Sequence, residues 1–566
     1  MGPDDYKRTY GDGRKTRVMA LSGNGRAYDA GRYDIPQMDS WQPGIGHPDN
    51  EINPSRDVIV ARARDLARNN PNLSGAVNRL VEMVVGPNVM YVPQPNIDVM
   101  GKDDDWEDAW VTNTEAWFDL WAEDGMNRCD VAMQMQFGAM VALAYRHWVI
   151  DGEACAVVKM LDRGAMFQTA IQLIDPDRLS NPDGVADGMV PNGAKGRVYG
   201  GVEVNASGAP IAYHIRVRHP DNNNFYGDDG YRWERVARFG PTGRPQFIHA
   251  FRADRAEQRR GVSRLSALIK LAKVSEKLTG ATLDTAILAN FLAVGIVSPY
   301  PTSDVRDALA PTGAEDQGWS LAQQVAYREK NRIRLVGPQV NHYLPGEEPK
   351  LLSSNHPNDN YVDFSHDLKR EGASAVGLSY AQYNQDYADI NYSSGRLQGN
   401  EVWRAMLHER RLFTQMFCTP INSAWMEEAV LLGKVKAPGG WQGFYKWRAA
   451  LVQADWMGPG RGTGNPLQEA NANDIDTNAR RTNLILTCAE QGLKWRKVLR
   501  GARKVEKAVE ILGLDKIVPI KAVQPEQPDP ADDGSDGGDK ARQGDGKFAD
   551  KRGKSKQPKK TTEGGQ

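Results

Sequence analysis

The chain has 566 residues, with 71 Lys+Arg against 72 Asp+Glu, so its formal net charge is −1. That length allows several compact regions and a sizeable core, and the charge balance excludes a protein that grips nucleic acid along a broad basic face. The four cysteines, Cys129, Cys155, Cys418 and Cys488, have no CxxC spacing, which excludes a disulfide framework and a thiolate zinc site.

Residues 1–50 are rich in Gly, Asp, Arg and Tyr and lack a helical or strand period, so a flexible arm is expected. The opening MGPDDYKRTYGDGRKTR has no apolar core of a signal peptide. The first helix is expected in SRDVIVARARDLARNN, with Ser55 as N-cap, Asp57 near its positive end and Asn69, Asn70 and Pro71 as the stop. A second follows in LSGAVNRLVEMVVG. In WEDAWVTNTEAWFDLWAEDG, Trp106, Trp110, Trp117 and Trp121 fall in a stripe roughly 60° wide on a helix. A base-stacking platform is conceivable, but the expected role is core packing. Asp103, Asp104 and Asp105 read as an acidic helix start rather than a metal site.

Residues 140–160 suit a helix followed by a strand, and a β-rich region follows in IQLIDPDRL, KGRVYGGVEVN, IAYHIRV and QFIHAFRA. DPDR and NPDG are turn signals. From Ser263 to Leu292, apolar residues recur at three- and four-residue steps, predicting a rod of roughly 45 Å with Lys270, Lys273, Glu276 and Lys277 on its polar face. Its apolar run Ala286–Val297 carries Asn290 and is too short to span a bilayer, so a soluble protein is expected. Residues 301–330 read as an exposed insertion, and short strands are expected between 333 and 354. Helices are predicted over 360–376, 393–425, 467–491 and 494–512. From 524 the chain becomes an acidic block, then the basic KRGKSKQPKK, with too few large apolar residues to fold.

Catalytic motifs are missing from the sequence. The one GK[ST] ending, Gly553-Lys554-Ser555, has Phe548 where a P-loop needs glycine. Gly23-Asn24-Gly25 leads to Tyr28 where a dinucleotide fingerprint needs glycine. No HExxH or GxSxG occurs. The residues alone predict an α+β protein with one very long helix, no cofactor and no metal.

The order of segments resembles the portal proteins of lambda-type tailed bacteriophages. The resemblance is carried by SRDVIVARARDLARNNPNLSGAVNRLVEMVVG (55–86), LIDPDRLSNP (173–182) and IHAFRADRAEQRRGVSRLSALI (248–269), then by LPGEEPKLLSSNHPNDNYVDFSHDLKREGASAVGLSY (344–380) and DYADINYSSGRLQGNEVWR (386–404). Tyr383-Asn384-Gln385-Asp386 stands where the family often has a Leu-x-Gly-Asp turn, and 301–330 and the tail lack a clear counterpart. The resemblance implies a dodecameric ring at one capsid vertex, a channel for double-stranded DNA in packaging and ejection, and no enzymatic activity of its own. It implies partners: sister subunits, terminase, major capsid and scaffold proteins, and head-completion and tail proteins, but no membrane. Its implied location is the virion, after assembly in the host cytoplasm. On that reading 1–50 is an arm, 51–174 the first part of a wing, 175–260 a β-rich region including the clip, 261–300 a stem helix, 301–450 wing with a tunnel loop at 381–392, 451–520 a helical crown and 521–566 a disordered tail. Candidate DNA-channel residues are Gln382, Tyr383, Asn384, Gln385, Tyr387, Asn391, Tyr392 and Arg396, with a Ser capping the following helix. The competing readings are a helix-capping turn far from DNA, a head–tail adaptor without a channel, and a nuclease or glycosidase whose carboxylates the sequence does not advertise.

Overall fold

A computed structural model describes residues 40–41, 43–221, 231–292, 295–296, 341–342, 361–388, 390–460, 462 and 466–512. Most of the expected arm, the 301–330 insertion, nearly all of the 333–354 strands and the charged tail lie outside the described residues. Two compact units are distinguished, Met1–Leu499 and Arg500–Gln566.

Helix α1 runs over Pro48–Asn69 and α2 over Pro71–Val84. The first start differs from expectation: His47, not Ser55, caps α1, Pro48 occupies the first helical position, and Asp49 and Glu51 supply the acids of the first turn. Ser55 lies inside the helix, one residue after the internal Pro54. The stop is as expected. Asn70 ends α1 in an extended conformation, and its side chain accepts a hydrogen bond from Leu73 N to start α2. Strand β1 (Met90–Pro93) and the short α3 (Ile97–Met100) lead to α4 (Asp104–Ala122). Asp103 Oδ1 caps α4 by accepting from Trp106 N at 3.0 Å, with Asp104, Asp105 and Glu107 in the first turn.

The tryptophan stripe faces the core. Trp110 and Trp121 are buried, and Trp106 and Trp117 pack against the same cluster. Around them stand α5 (Phe137–Ile150), α9 (Tyr392–Leu431), α10 (Gly440–Leu451) and β11 (Ala454–Met457). Ring centroids of Tyr91 and Phe118 are 4.2 Å apart, and those of Phe118 and Trp425 5.0 Å. Each such buried aromatic contributes on the order of 2 kcal/mol. Helix α9 is one unbroken element where a shorter helix was expected, because its C-terminal half is buried on nearly every side and tolerates the internal Pro420.

The β-rich region forms two antiparallel sheets. β3 (Thr169–Ile174), β2 (Glu153–Met160) and β8 (Phe247–Phe251) pair in the order β3-β2-β8, and the central β2 is buried over six consecutive residues. β4 (Arg197–Tyr199), β5 (Val202–Val204), β6 (Pro210–Arg216) and β7 (Trp233–Ala237) form a meander. A second cluster containing Cys155, Val202, Tyr213 and Phe247 joins the two. DPDR and NPDG form single 3₁₀ turns, as expected. The predicted long helix is α6 (Leu268–Leu292), preceded by turns over 264–267 rather than starting at Ser263. Gly295–Ile296 (β9) and Asn341–His342 (β10) pair in parallel. α7 (Tyr361–Val376) lies against α6, where Tyr361 Oη donates to Thr279 Oγ1 at 3.2 Å. α8 (Tyr380–Asn384) links it towards α9. The segment expected as one helix over 467–491 is two, α11 (Pro466–Asn478) and α12 (Leu484–Glu490), because Asn483 caps a new start at Leu486 N. α13 covers Trp495–Leu512.

Candidate functional site

The candidate segment lies between α7 and α9, and the structure divides it. Its first part is anchored. Ser379 and Gln382 form a capping box at the start of α8: Gln382 N donates to Ser379 Oγ, and Ser379 N to Gln382 Oε1, each at 3.3 Å. α8 packs on α2 and α7, and Ala381 and Tyr383 are buried. Tyr383 is buried: its ring joins the main core, and its hydroxyl lies 3.1 Å from where a Cβ on Gly372 would stand, so it packs against the bare face of α7. Burial pushes its phenol upward. Asn384 Nδ2 donates to Tyr380 Oη at 3.3 Å, within the same short helix.

The second part is exposed. Gln385 ends α8 with φ +55°, the left-handed conformation that turns the chain outward. Tyr387 is 55% exposed, and Asp386 Oδ1 accepts from Ala388 N to hold the turn. Asn391, rather than a serine, caps α9: its Oδ1 accepts from Ser394 N at 2.8 Å. Tyr392 is the first residue of α9, and Arg396 is exposed in its second turn. The exposed described residues of this part are therefore Gln385, Tyr387, Ala388 and Asn391, and none of them is Lys or Arg.

Two arrangements escaped the sequence reading. Lys270, Lys273 and Lys277, noted only as a polar face, form an exposed column on α6 within roughly 60° of one another. The second is a buried polar knot at the entry to α6. Glu153 on β2 has no exposure and accepts from Arg56 Nη2 at 2.9 Å, Arg260 Nε at 3.0 Å and Gly261 N at 3.0 Å, and meets His249 Nε2 at 3.0 Å. Burial disfavours its ionised form, but the Arg260 and Arg56 guanidiniums overcome this and hold its carboxyl well below the usual carboxylate range. The backbone here permits no side chain: a Cβ on Gly261 would lie 2.1 Å from Gly152 O, and Gly152 itself has φ +86°. The arginines of RAEQRRG were visible in sequence, but the carboxylate they meet is over one hundred residues away. Glu153, Cys155 and His249 are close enough to resemble a metal set. The two guanidiniums already occupy the carboxylate, and burial pushes the Cys155 thiol up, so the chemistry of this group is that of an ion-paired core.

No helix among the described residues is long and apolar enough to cross a membrane. The family described as "Phage portal protein, lambda family" matches residues 34–410. The portal protein of Escherichia phage N15 is 27% identical over 487 residues, covering 84% of this chain and 88% of its own. Portal protein B of Escherichia phage lambda is 26% identical over 487 residues, covering 84% and 87%. Two solved neck structures of gene transfer agent particles, computed with C6 and C12 symmetry, match at TM-scores of 0.36 and 0.33 with 15% and 13% identity, covering 80% and 76% of this chain and 96% of theirs. At that TM-score the likeness carries no argument about assembly. The family match and the two coliphage relatives, spanning most of both chains, settle the identity: the chain belongs to the lambda family of phage portal proteins, structural components of the virion rather than enzymes.

Proposed function

We propose that the protein closes a ring of twelve copies at one vertex of the capsid and that double-stranded DNA passes along its axis during packaging and ejection. Membership of the portal family over residues 34–410 is the observation that carries this reading. Apolar residues left bare on two packed helices support it: Leu283 and Ile287 on α6 are 59% and 43% exposed, and Phe364 on α7 is 54% exposed. Such surfaces suit a head-to-tail seam between neighbours, the interface type from which a cyclic ring is built.

In this reading α6 is the stem, the meander of β4 to β7 lies in the clip, the helices of 51–174 together with 301–450 form the wing, and α11 to α13 belong to the crown. The turn that exposes Gln385, Tyr387 and Asn391 is the part of the tunnel loop that faces DNA. Its lack of cations suits sliding, since each Lys or Arg set against phosphate adds salt-dependent affinity and would act as a brake. Terminase supplies ATP hydrolysis and docks on the ring, and scaffold, major capsid, head-completion and tail proteins are the other partners. Cryo-electron microscopy of the purified full-length protein tests this, with and without its scaffold. Closed rings of about twelve copies with an axial hole wide enough for B-DNA are expected. A monomer that persists with scaffold present overturns the conduit in favour of an adaptor without a channel.

A further inference from the structure

A groove of about 530 Å³ opens between the middle of α9, strand β11 and helices α12 and α13. Its walls carry bare apolar side chains: Leu407, Ile485, Leu486 and Leu493 are 42%, 49%, 53% and 45% exposed. Its charges do not balance, since Arg410, Arg411, Lys494 and Arg496 line it against Glu115 and Asp455. Two of these cations are already held. Arg410 donates to Val84 O at 2.7 Å and Met83 O at 2.8 Å, and Arg496 pairs with Asp108. Lys494 is different. Its side chain is 3% exposed, and its ammonium makes no hydrogen bond among the described residues. The nearest carboxylate oxygens, Glu115 Oε1 and Asp119 Oδ1, stand off at 3.7 and 3.6 Å. Both carboxylates pair with the ammonium as ions but neither hydrogen-bonds it, and a buried ammonium short of hydrogen bonds is costly. Burial pushes the Glu115 carboxyl up, which weakens the compensation that it offers.

We propose that this groove docks an acidic amphipathic segment of a partner protein, presenting leucine-like side chains to Leu486 and Leu493 and a carboxylate to Lys494. The apolar walls supply the contact area for a helix laid into a groove. The cation excess selects an acidic segment over a basic one. The inference rests on the groove and not on the ring, whose bare seam lies on α6 and α7.

Fluorescence anisotropy on the full-length protein tests it with two short labelled helical peptides. Both carry leucines at three- and four-residue spacing, one with flanking glutamates and the other with lysine in place of every glutamate. The acidic peptide is expected to bind saturably and the basic one about tenfold more weakly or worse. Leu486→Asp and Lys494→Met should each weaken the acidic peptide by about tenfold or more. Absence of saturable binding, equal binding of the two peptides, or binding unchanged in both variants overturns the proposal. If Lys494→Met fails to fold by circular dichroism, Leu486→Asp decides alone, since it alters an exposed side chain. Rings in the same samples are scored separately by electron microscopy: rings without peptide binding reject only the groove, and peptide binding without rings rejects only the ring.

Discussion

Glu153 is wholly buried, yet it accepts hydrogen bonds from two guanidiniums and from the amide of Gly261, and this arrangement sets what its replacement does. Neutralising it leaves Arg56 and Arg260 buried without their counter-charge, and such losses cost roughly 3–5 kcal/mol. Glu153→Gln is therefore expected to lower unfolding stability by about that amount in a denaturant titration at pH 7. The pH dependence follows from the depressed carboxyl. A group whose folded pKa lies below its unfolded value contributes fully above the unfolded value, near pH 4.3, and loses that contribution as pH falls through the folded one. The gap between wild type and Glu153→Gln should hold from pH 7 to about pH 4.5 and narrow only below it. A gap that already closes near pH 6 would show that the carboxyl is not held down by the arginines.

At the scale of elements, the connector between α7 and α9 contains two tyrosines with opposite fates. Tyr383 sits in the core, and Tyr383→Ala should cost roughly 3 kcal/mol of stability, as large-to-small core changes do. Tyr387 is exposed, and Tyr387→Ala should stay within about 0.5 kcal/mol of wild type in the same titration. If the turn 385–391 faces DNA, Tyr387→Ala changes the rate of terminase-driven packaging in vitro at unchanged stability. An unaltered rate would leave the turn as an ordinary helix connection. The contrast also shows what was legible in the sequence. Helical periodicity placed α2, α4, α6, α7 and the first part of α9, because a stripe of apolar residues is a local signal. Whether a given tyrosine in a polar stretch points inward is not local. Tyr383 is inside because Gly372, on another helix, leaves room for its hydroxyl. The same holds for Glu153, whose partners come from α1, β8 and the lead-in to α6. The start of α1 was misplaced because Ser55 offers as good a cap as His47 in isolation. The earlier start is held by Asp49, whose carboxylate accepts from Arg259 N at 3.1 Å, a contact between residues 210 apart.

At the scale of the whole molecule, if the bare apolar residues of α6 and α7 form the seam of the proposed ring, the difference between a ring and a lone subunit becomes a question of that seam. Leu283 and Ile287 lie one helical turn apart on α6, and on α7, which packs against it, Phe364 is exposed among the exposed Asp363 and Asp367. In a head-to-tail ring the same seam repeats at every subunit, so a small penalty per contact is multiplied around the closure. Phe364→Asp adds a carboxylate where acids already stand, and burying it there against the neighbour's apolar surface is unfavourable by several kcal/mol per seam on the order expected for an unpaired charge. The side chain is exposed in the subunit, so the fold itself should be preserved within about 0.5 kcal/mol. The expected outcome is a folded protein that sediments as monomers or short arcs where wild type gives closed rings, and sedimentation velocity with matched circular dichroism reads both properties at once. Rings that close as readily in Phe364→Asp as in wild type would place the seam on other surfaces and remove these two helices from it.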